Sequence, residues 1–321
     1  MIEILWVTTP FFALILAGYW ATKSGRLSLQ AIPGLNNFVL YFALPCMLFR
    51  FGATTDMVSV FNPTLAVLYI AVSLCVVITA IGLTLSSRMG WNDAALGALV
   101  AAFPNSGFMG VPLLIGLLGT SMASPVILSI TIDMILTSSL CIALSRLDGH
   151  GLRSMGPAIK NALKGVLGNP MAWAILLGAL FSVIQLKLPA PIEKTVWMLA
   201  DAASPVALFT IGSVLARGQL QAHERPQSVS GVWPIVILKL VVHPALIMLL
   251  GMLLMQLGAD LTWSSLVALV LVAALPSASN VSLLAERFGA DNLRIARIIL
   301  ITTVIAFFTF SGSVYLLTRV T

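Results

Sequence analysis

Apolar runs of roughly 20 residues, the length a helix needs to cross a bilayer, follow one another along nearly the whole of this chain. They fall at 4–22, 34–52, 64–86, 94–118, 123–145, 168–186, 195–216, 232–256, 262–285 and 293–317. The pattern predicts an all-α integral membrane protein with ten transmembrane helices. Composition agrees: 59% of residues are hydrophobic and 9% charged, with a mean hydropathy of +1.05, where soluble domains carry about 25% charged residues. No polar stretch is long enough for a separate soluble domain. The opening segment, MIEILWVTTPFFALILAGYW, lacks a basic n-region and reads as a retained first helix.

Lysine and arginine set the orientation. With the N-terminus outside, the inner ends carry Lys23, Arg26, Arg88, Arg146, Arg153, Lys160, Lys164, Arg217, Arg225, Arg287, Arg294 and Arg297. The outer ends carry only Arg50, Lys187, Lys194 and Arg319. That asymmetry is a positive-inside signal, and an even number of spans puts both termini outside. The net charge of +6 then follows from topology, and no nucleic-acid partner is expected. Cys46, Cys75 and Cys141 lie in apolar runs without metal-ligand spacing, so they read as packing residues. No metal and no cofactor are expected.

Two of the runs are broken. Pro104 and Pro276 each stand thirteen residues after a tryptophan, Trp91 and Trp263, and each precedes small polar residues. A proline at membrane depth interrupts the hydrogen-bond ladder, and the freed backbone groups must face a cavity or a ligand. Two such breaks at matching places in two halves of a chain point to a solute site at the membrane midplane. There the N-terminal ends of half-helices offer unpaired N–H groups and a positive dipole end to a carboxylate. The candidate substrate-binding residues are Pro104, Asn105, Ser106, Pro276, Ser277, Ser279 and Asn280. Gly107 and Gly110 read as places of close backbone approach.

The halves also repeat. PFFALILAG (10–18) matches PMAWAILLG (170–178), and LPCMLF (44–49) matches SPVALF (204–209), both at an offset of 160. The Trp–Pro pairs repeat at an offset of 172, the extra twelve residues being assigned to a longer loop around 217–231. Five spans per copy is an odd number, so the second copy must be inverted. The expected units are 1–145, a cytoplasmic linker at 146–166, and 167–321.

Ionisable residues within spans form a second constellation. Asp133 lies about ten residues into its run, roughly 15 Å deep, and His243 reaches similar depth from the other side. An acid at that depth must be protonated, paired or facing water. Asp133 is a candidate for proton coupling with His243 as partner, against a purely structural pair. Lys239, one turn before His243, is expected to snorkel to the interface. Arg50 reads as interfacial, Asp201 as a scaffold or vestibule acid, and Glu286 with Arg287 as a boundary pair.

The segments LYFALPCMLFRF (40–51), FPNSGFMGVPLL (103–114), NPMAWAILLG (169–178), ASPVALFTIGSVLA (203–216) and ALPSASNVSLLAERFGAD (274–291) resemble the auxin efflux carrier family. Its bacterial members resemble malonate and malate permeases of the inner membrane. The resemblance spans nearly the whole chain. It implies two inverted five-helix repeats, a sodium/bile-acid symporter-like fold with broken crossing helices 4 and 9. Helices 1, 2, 6 and 7 would form a scaffold through which homodimers assemble, and helices 3–5 and 8–10 a moving domain. It further implies alternating-access transport of monocarboxylates or dicarboxylates. One departure stands out: the second crossing reads PSASN (276–280), with no asparagine beside its proline.

Enzyme chemistry finds no footing, since GxxxxGK[ST], HExxH and GxSxG are all missing. The expected function is a secondary carrier of small organic anions, proton-coupled or a uniporter. The alternatives are a sodium-coupled symporter of bile-acid-like anions and a ligand sensor on the same fold. The crossing segments hold no acid before Glu286, which disfavours a sodium site.

Overall fold

The computed structural model describes residues 2–54, 62–86, 89–119, 122–147, 170–222 and 231–317. Beyond Leu147, the linker expected at 146–166 lies outside the described residues, as do the side chains of Glu286 and Arg287. Every named element is helical: α1 (Ile2–Lys23), α2 (Ala31–Thr54), α3 (Pro63–Thr84), α4 (Trp91–Ala102), α5 (106–118), α6 (Ser124–Leu144), α7 (Pro170–Val183), α8 (Ala190–Ala222), α9 (Val232–Gln256), α10 (Trp263–Ala274), α11 (Asn280–Phe288) and α12 (Asn292–Leu317). Among the described residues, six of these are long and apolar enough to cross a membrane: α2, α3, α6, α8, α9 and α12. The segment 217–222, expected as loop, continues α8 to Ala222.

Local chemistry explains the ends. Asn62 caps α3 by accepting from the Leu65 N–H at 3.1 Å, with Pro63 at the first helical position. Thr262 caps α10 in the same manner through the Ser265 N–H. The two interruptions share one cause. Phe103 precedes Pro104 and Leu275 precedes Pro276, and both adopt extended backbone (ψ 100° and 155°), because a following proline crowds the helical conformation. Wider turns with i→i+5 bonds occupy Val39–Ala43, Ser106–Gly110 and Leu238–Val242, each ending two residues before a proline: Pro45, Pro112 and Pro244. A proline returns no N–H to the preceding turn, so the ladder loosens there. The Phe108 carbonyl freed in this way accepts from Ser204 Oγ of α8 at 3.2 Å.

The helices pack in two groups. α1 packs on α8, α8 on α2 and α2 on α7; α3, α4, α6, α9, α10 and α12 form the second group, and α5 and α11 lie at its crossing. The first group is held by close backbone contact. A Cβ on Gly18 of α1 would strike the Phe209 carbonyl of α8, and one on Gly178 of α7 would strike the Phe49 carbonyl of α2. These pairs are reciprocal, since Gly178 and Phe209 stand 160 positions after Gly18 and Phe49. Gly212, 160 after Gly52, likewise lies on the Ile15 carbonyl. The glycines of the sequence repeat are therefore the crossing points of the helices. Small residues allow such approach where apolar burial alone gives little drive between helices in lipid.

Candidate functional site at the crossing of two interrupted helices

The broken segments meet. Pro104 and Ser277 pair as an isolated antiparallel bridge. The Asn105 N–H donates to the Pro276 carbonyl at 2.8 Å and the Ala278 N–H to the Phe103 carbonyl at 3.0 Å. The Ser277 N–H donates to Thr302 Oγ1 of α12 at 3.3 Å. Each break thus satisfies part of the other's backbone, as buried peptide groups require. From this bridge α5 and α11 begin, while α4 and α10 end on it. The N–H groups of Gly107 and Phe108 come too early in α5 for an acceptor within their own helix.

Of the seven residues expected here, Pro104, Asn105, Pro276 and Ser277 form or flank the bridge itself. Ser106 bonds back, donating through N–H and Oγ to the Pro104 carbonyl at 2.8 and 3.1 Å. Its hydroxyl proton is engaged by its own segment. Ser277 Oγ and Asn280 Oδ1 are buried without a hydrogen-bond partner. Asn280 lines two narrow clefts. One lies among Leu44 and Leu48 of α2, Asn105, Gly107 and Met134, with room for a water or two. The other lies among Asn36 of α2, Thr210 of α8 and Ser279. Both clefts separate the crossing from the first helix group. Gly110 is in close contact with Leu275, whose Cδ1 would lie 2.8 Å from an added Cβ; Gly107 is open, the nearest atom being Leu44 Cδ1 at 3.9 Å. Close approach therefore holds at Gly110 alone.

The ionisable residues gather behind the crossing. Asp133, His243 and Lys239 are each 0% exposed. Tyr69 Oη of α3 donates to Asp133 Oδ2 at 2.6 Å, and Thr137 Oγ1 donates to Oδ1 at 3.1 Å. The Asp133 carbonyl, in another wide turn, accepts from Ser138 Oγ at 2.8 Å. Tyr69, not His243, is the hydrogen-bond partner of Asp133; the His243 ring lies 6.2 Å from the Tyr69 ring, centroid to centroid. Both ring nitrogens of His243 are buried without a hydrogen-bond partner. Lys239 does not snorkel. Its Nζ donates to the Ala273 carbonyl of α10 at 2.6 Å, within electrostatic range of Asp133.

Arg50, expected as an interfacial charge, pairs with Asp201, Nη1 to Oδ1 at 2.6 Å, and so ties α2 to α8. Sequence reasoning missed Tyr69 and Thr302. A tyrosine deep in an apolar run was the available signal, because a buried phenol needs a partner. Among the described residues no group of three or more His, Cys, Asp or Glu could hold a metal ion.

Comparison with known proteins agrees with a membrane carrier. A "Putative malonate transporter" of Rhizobium meliloti is 28% identical over 99% of this chain and 97% of its own. The uncharacterized transporter YfdV of Escherichia coli K12 is 27% identical over 87% of each chain. An uncharacterized transporter of Methanothermobacter thermautotrophicus is 27% identical over 63% of this chain and 65% of its own. The family model described as membrane transport protein matches residues 6–314. The chain is a multi-pass membrane protein of the membrane transport protein family, that of the auxin efflux carriers.

Proposed function

We propose that this protein is a secondary carrier of small organic anions, with malonate- and malate-like carboxylates as its substrates. The observation that carries this reading is the Pro104–Ser277 crossing. Two helix N-termini begin there, α5 and α11, beside early N–H groups and a Ser277 hydroxyl without a partner. A carboxylate in that place gains charge-assisted hydrogen bonds and a favourable dipole. It needs no fixed cation in the cleft. The Rhizobium relative's name supports malonate as the first anion to test.

In this reading the chain has ten spans in two inverted repeats, 1–145 and 167–321, joined by the 146–166 linker. α4 with α5 is one crossing span, and α10 with α11 the other. The reciprocal Gly18–Phe209 and Gly178–Phe49 contacts support the inversion, because a two-fold relation makes each contact occur twice. Helices α1, α2, α7 and α8 serve as the scaffold, and the second group slides against it as the transport domain. The clefts at Asn280 lie along that boundary. Both termini face the outside of a bacterial inner membrane. Asp133 is the candidate proton-coupling group, through Tyr69.

The test is uptake of labelled malonate and malate by the purified protein in proteoliposomes, first under an imposed pH gradient and then under a sodium gradient. Uptake accelerated by the pH gradient is expected. Uptake that responds to sodium alone contradicts the proton-coupled reading, and no uptake of either acid contradicts the substrate class.

A further inference from the structure

The second helix group leans on one half of the first. Among the described residues, α5 and α12 pack on α1, and α12 packs on α8, as does the Ser106–Gly110 turn that opens α5. Phe12 of α1 and Phe307 of α12 meet edge-on there, ring centroids 4.7 Å apart. The repeat mates of these elements make no comparable contact: neither α11 nor α6 packs on α7 or α2 to that extent. The lean is one-sided, while the glycine crossings of the first group are two-fold. Two copies of one packing scheme allow two arrangements of similar energy, in which the copies exchange roles. The second arrangement is read by moving each contact to its mate, 160 positions away in the first group and 172 at the crossing.

One exchange changes the charge of the site. The second cleft is bounded on the α8 side by Thr210, whose hydroxyl donates to the Val206 carbonyl at 2.6 Å, and across it stand Ser279 and Asn280. The mate of Thr210 is Arg50, and those of Ser279 and Asn280 are Gly107 and Phe108. Exchange therefore sets a guanidinium opposite the two N–H groups that come too early in α5 for an acceptor of their own helix. Gly107 leaves room for it, the nearest atom to an added Cβ being 3.9 Å away. In the arrangement described, Arg50 lines neither cleft. Its Nη1 rests on Asp201 Oδ1 at 2.6 Å, and the Asp201 side chain is 69% exposed. That bond occupies one of the five donors a guanidinium carries.

We propose that Arg50 binds the carried anion in the exchanged arrangement, taking one carboxylate of a dicarboxylate while the Gly107 and Phe108 N–H groups hold the other. This deepens the carrier reading and rests on it and on its inverted repeats. Arg50 stands at the outer end of α2 in the positive-inside orientation, so the exchanged arrangement is the one that meets anion from outside. Asp201 holds the guanidinium until a substrate carboxylate, which matches its fork of donors, takes over. On the inner side Thr210 occupies the equivalent place without a charge. The outer face therefore binds dicarboxylates more tightly than the inner face.

The experiment is uptake of labelled malonate by right-side-out and everted membrane vesicles from cells making the full chain. Arg50→Gln should fold, since a partly solvated ion pair contributes little. It should raise the malonate KM of right-side-out vesicles by about 10- to 100-fold, the loss of a charge-assisted bond, and leave that of everted vesicles unchanged. Arg50→Lys keeps the charge and should recover most of the loss. Asp201→Asn removes the competing carboxylate and should lower the right-side-out KM. A mere tie between α2 and α8 would move both partners' variants the same way. Placement is read separately. With Cys46, Cys75 and Cys141 replaced by alanine, Arg50→Cys/Gly107→Cys should be joined by a short thiol-to-thiol cross-linker. An outer-face KM that Arg50→Gln leaves unchanged, or one raised equally on both faces, overturns the proposal, as does a pair that does not cross-link. A wild type that takes up no malonate on either face refutes the carrier reading instead, and the cross-link then decides the placement of Arg50 alone.

Discussion

Removing the Tyr69 hydroxyl isolates the contact on which the proposed role of Asp133 depends. Tyr69→Phe deletes a 2.6 Å hydrogen bond between two side chains that are both fully buried. The phenyl ring keeps its volume and its place against His243. Asp133 retains only the longer 3.1 Å bond from Thr137 to its side chain. A buried hydrogen bond to a carboxyl group contributes about 1–3 kcal/mol, and the orphaned acceptor bears the larger share of the loss. For a chain of 321 residues that corresponds to a fall of about 1.5–4.5 °C in unfolding temperature. The assay is a double-mutant cycle of Tyr69→Phe and Asp133→Asn, with thermal unfolding in detergent as readout. If the two residues act through each other, the double variant loses less than the sum, by a coupling of about 1 kcal/mol or more. Additive losses, or a Tyr69→Phe protein as stable as wild type, would refute the pairing.

The remaining expectations are simpler. Gly212→Val pushes side-chain atoms onto the Ile15 carbonyl and the Tyr19 backbone of α1; overpacking against rigid backbone should cost about 3 kcal/mol. Gly82→Ala and Gly312→Ala meet nothing within 4 Å and should be neutral in the same unfolding assay. Exchanging Arg50 and Asp201 should leave stability within about 1 kcal/mol of wild type, since the pair is partly solvated. Either charge reversal alone should lower it slightly, and a large loss from either would assign the pair more than a tie between α2 and α8.

How the sequence announced this fold is visible at particular residues. Apolar length located the runs, because a bilayer-spanning helix needs little else; 232–256 coincides with α9 to the residue. Pro104 and Pro276 located both breaks, because a proline interrupts the ladder of its own helix, a local effect that needs no tertiary knowledge. The glycines of the 160-residue repeat became the helix crossings. Side-chain partners were less legible. Lys239 was expected at the interface because a lone lysine usually finds water; the Ala273 carbonyl exists as an acceptor only because Ser277 turns to Thr302, a consequence of tertiary packing. His243 was a reasonable partner for Asp133 by depth, but depth carries no azimuth, and Tyr69 on a third helix reached the carboxyl group first. The serine of the first crossing could equally have faced the cleft or its own backbone. The structure has Ser106 on the Pro104 carbonyl and leaves Ser277 unpaired.

The claim that the crossing binds the carried anion is tested most directly by malonate uptake into proteoliposomes, comparing wild type with Ser277→Ala/Asn280→Ala. Both side chains carry buried polar atoms without partners, so their removal should leave folding intact. Losing two hydrogen bonds to the anion, each about 1 kcal/mol, should raise KM by roughly 10- to 30-fold. Wild-type uptake with that rise is the predicted result. Wild-type uptake with an unchanged KM in the double variant would contradict the placement of the anion at the crossing.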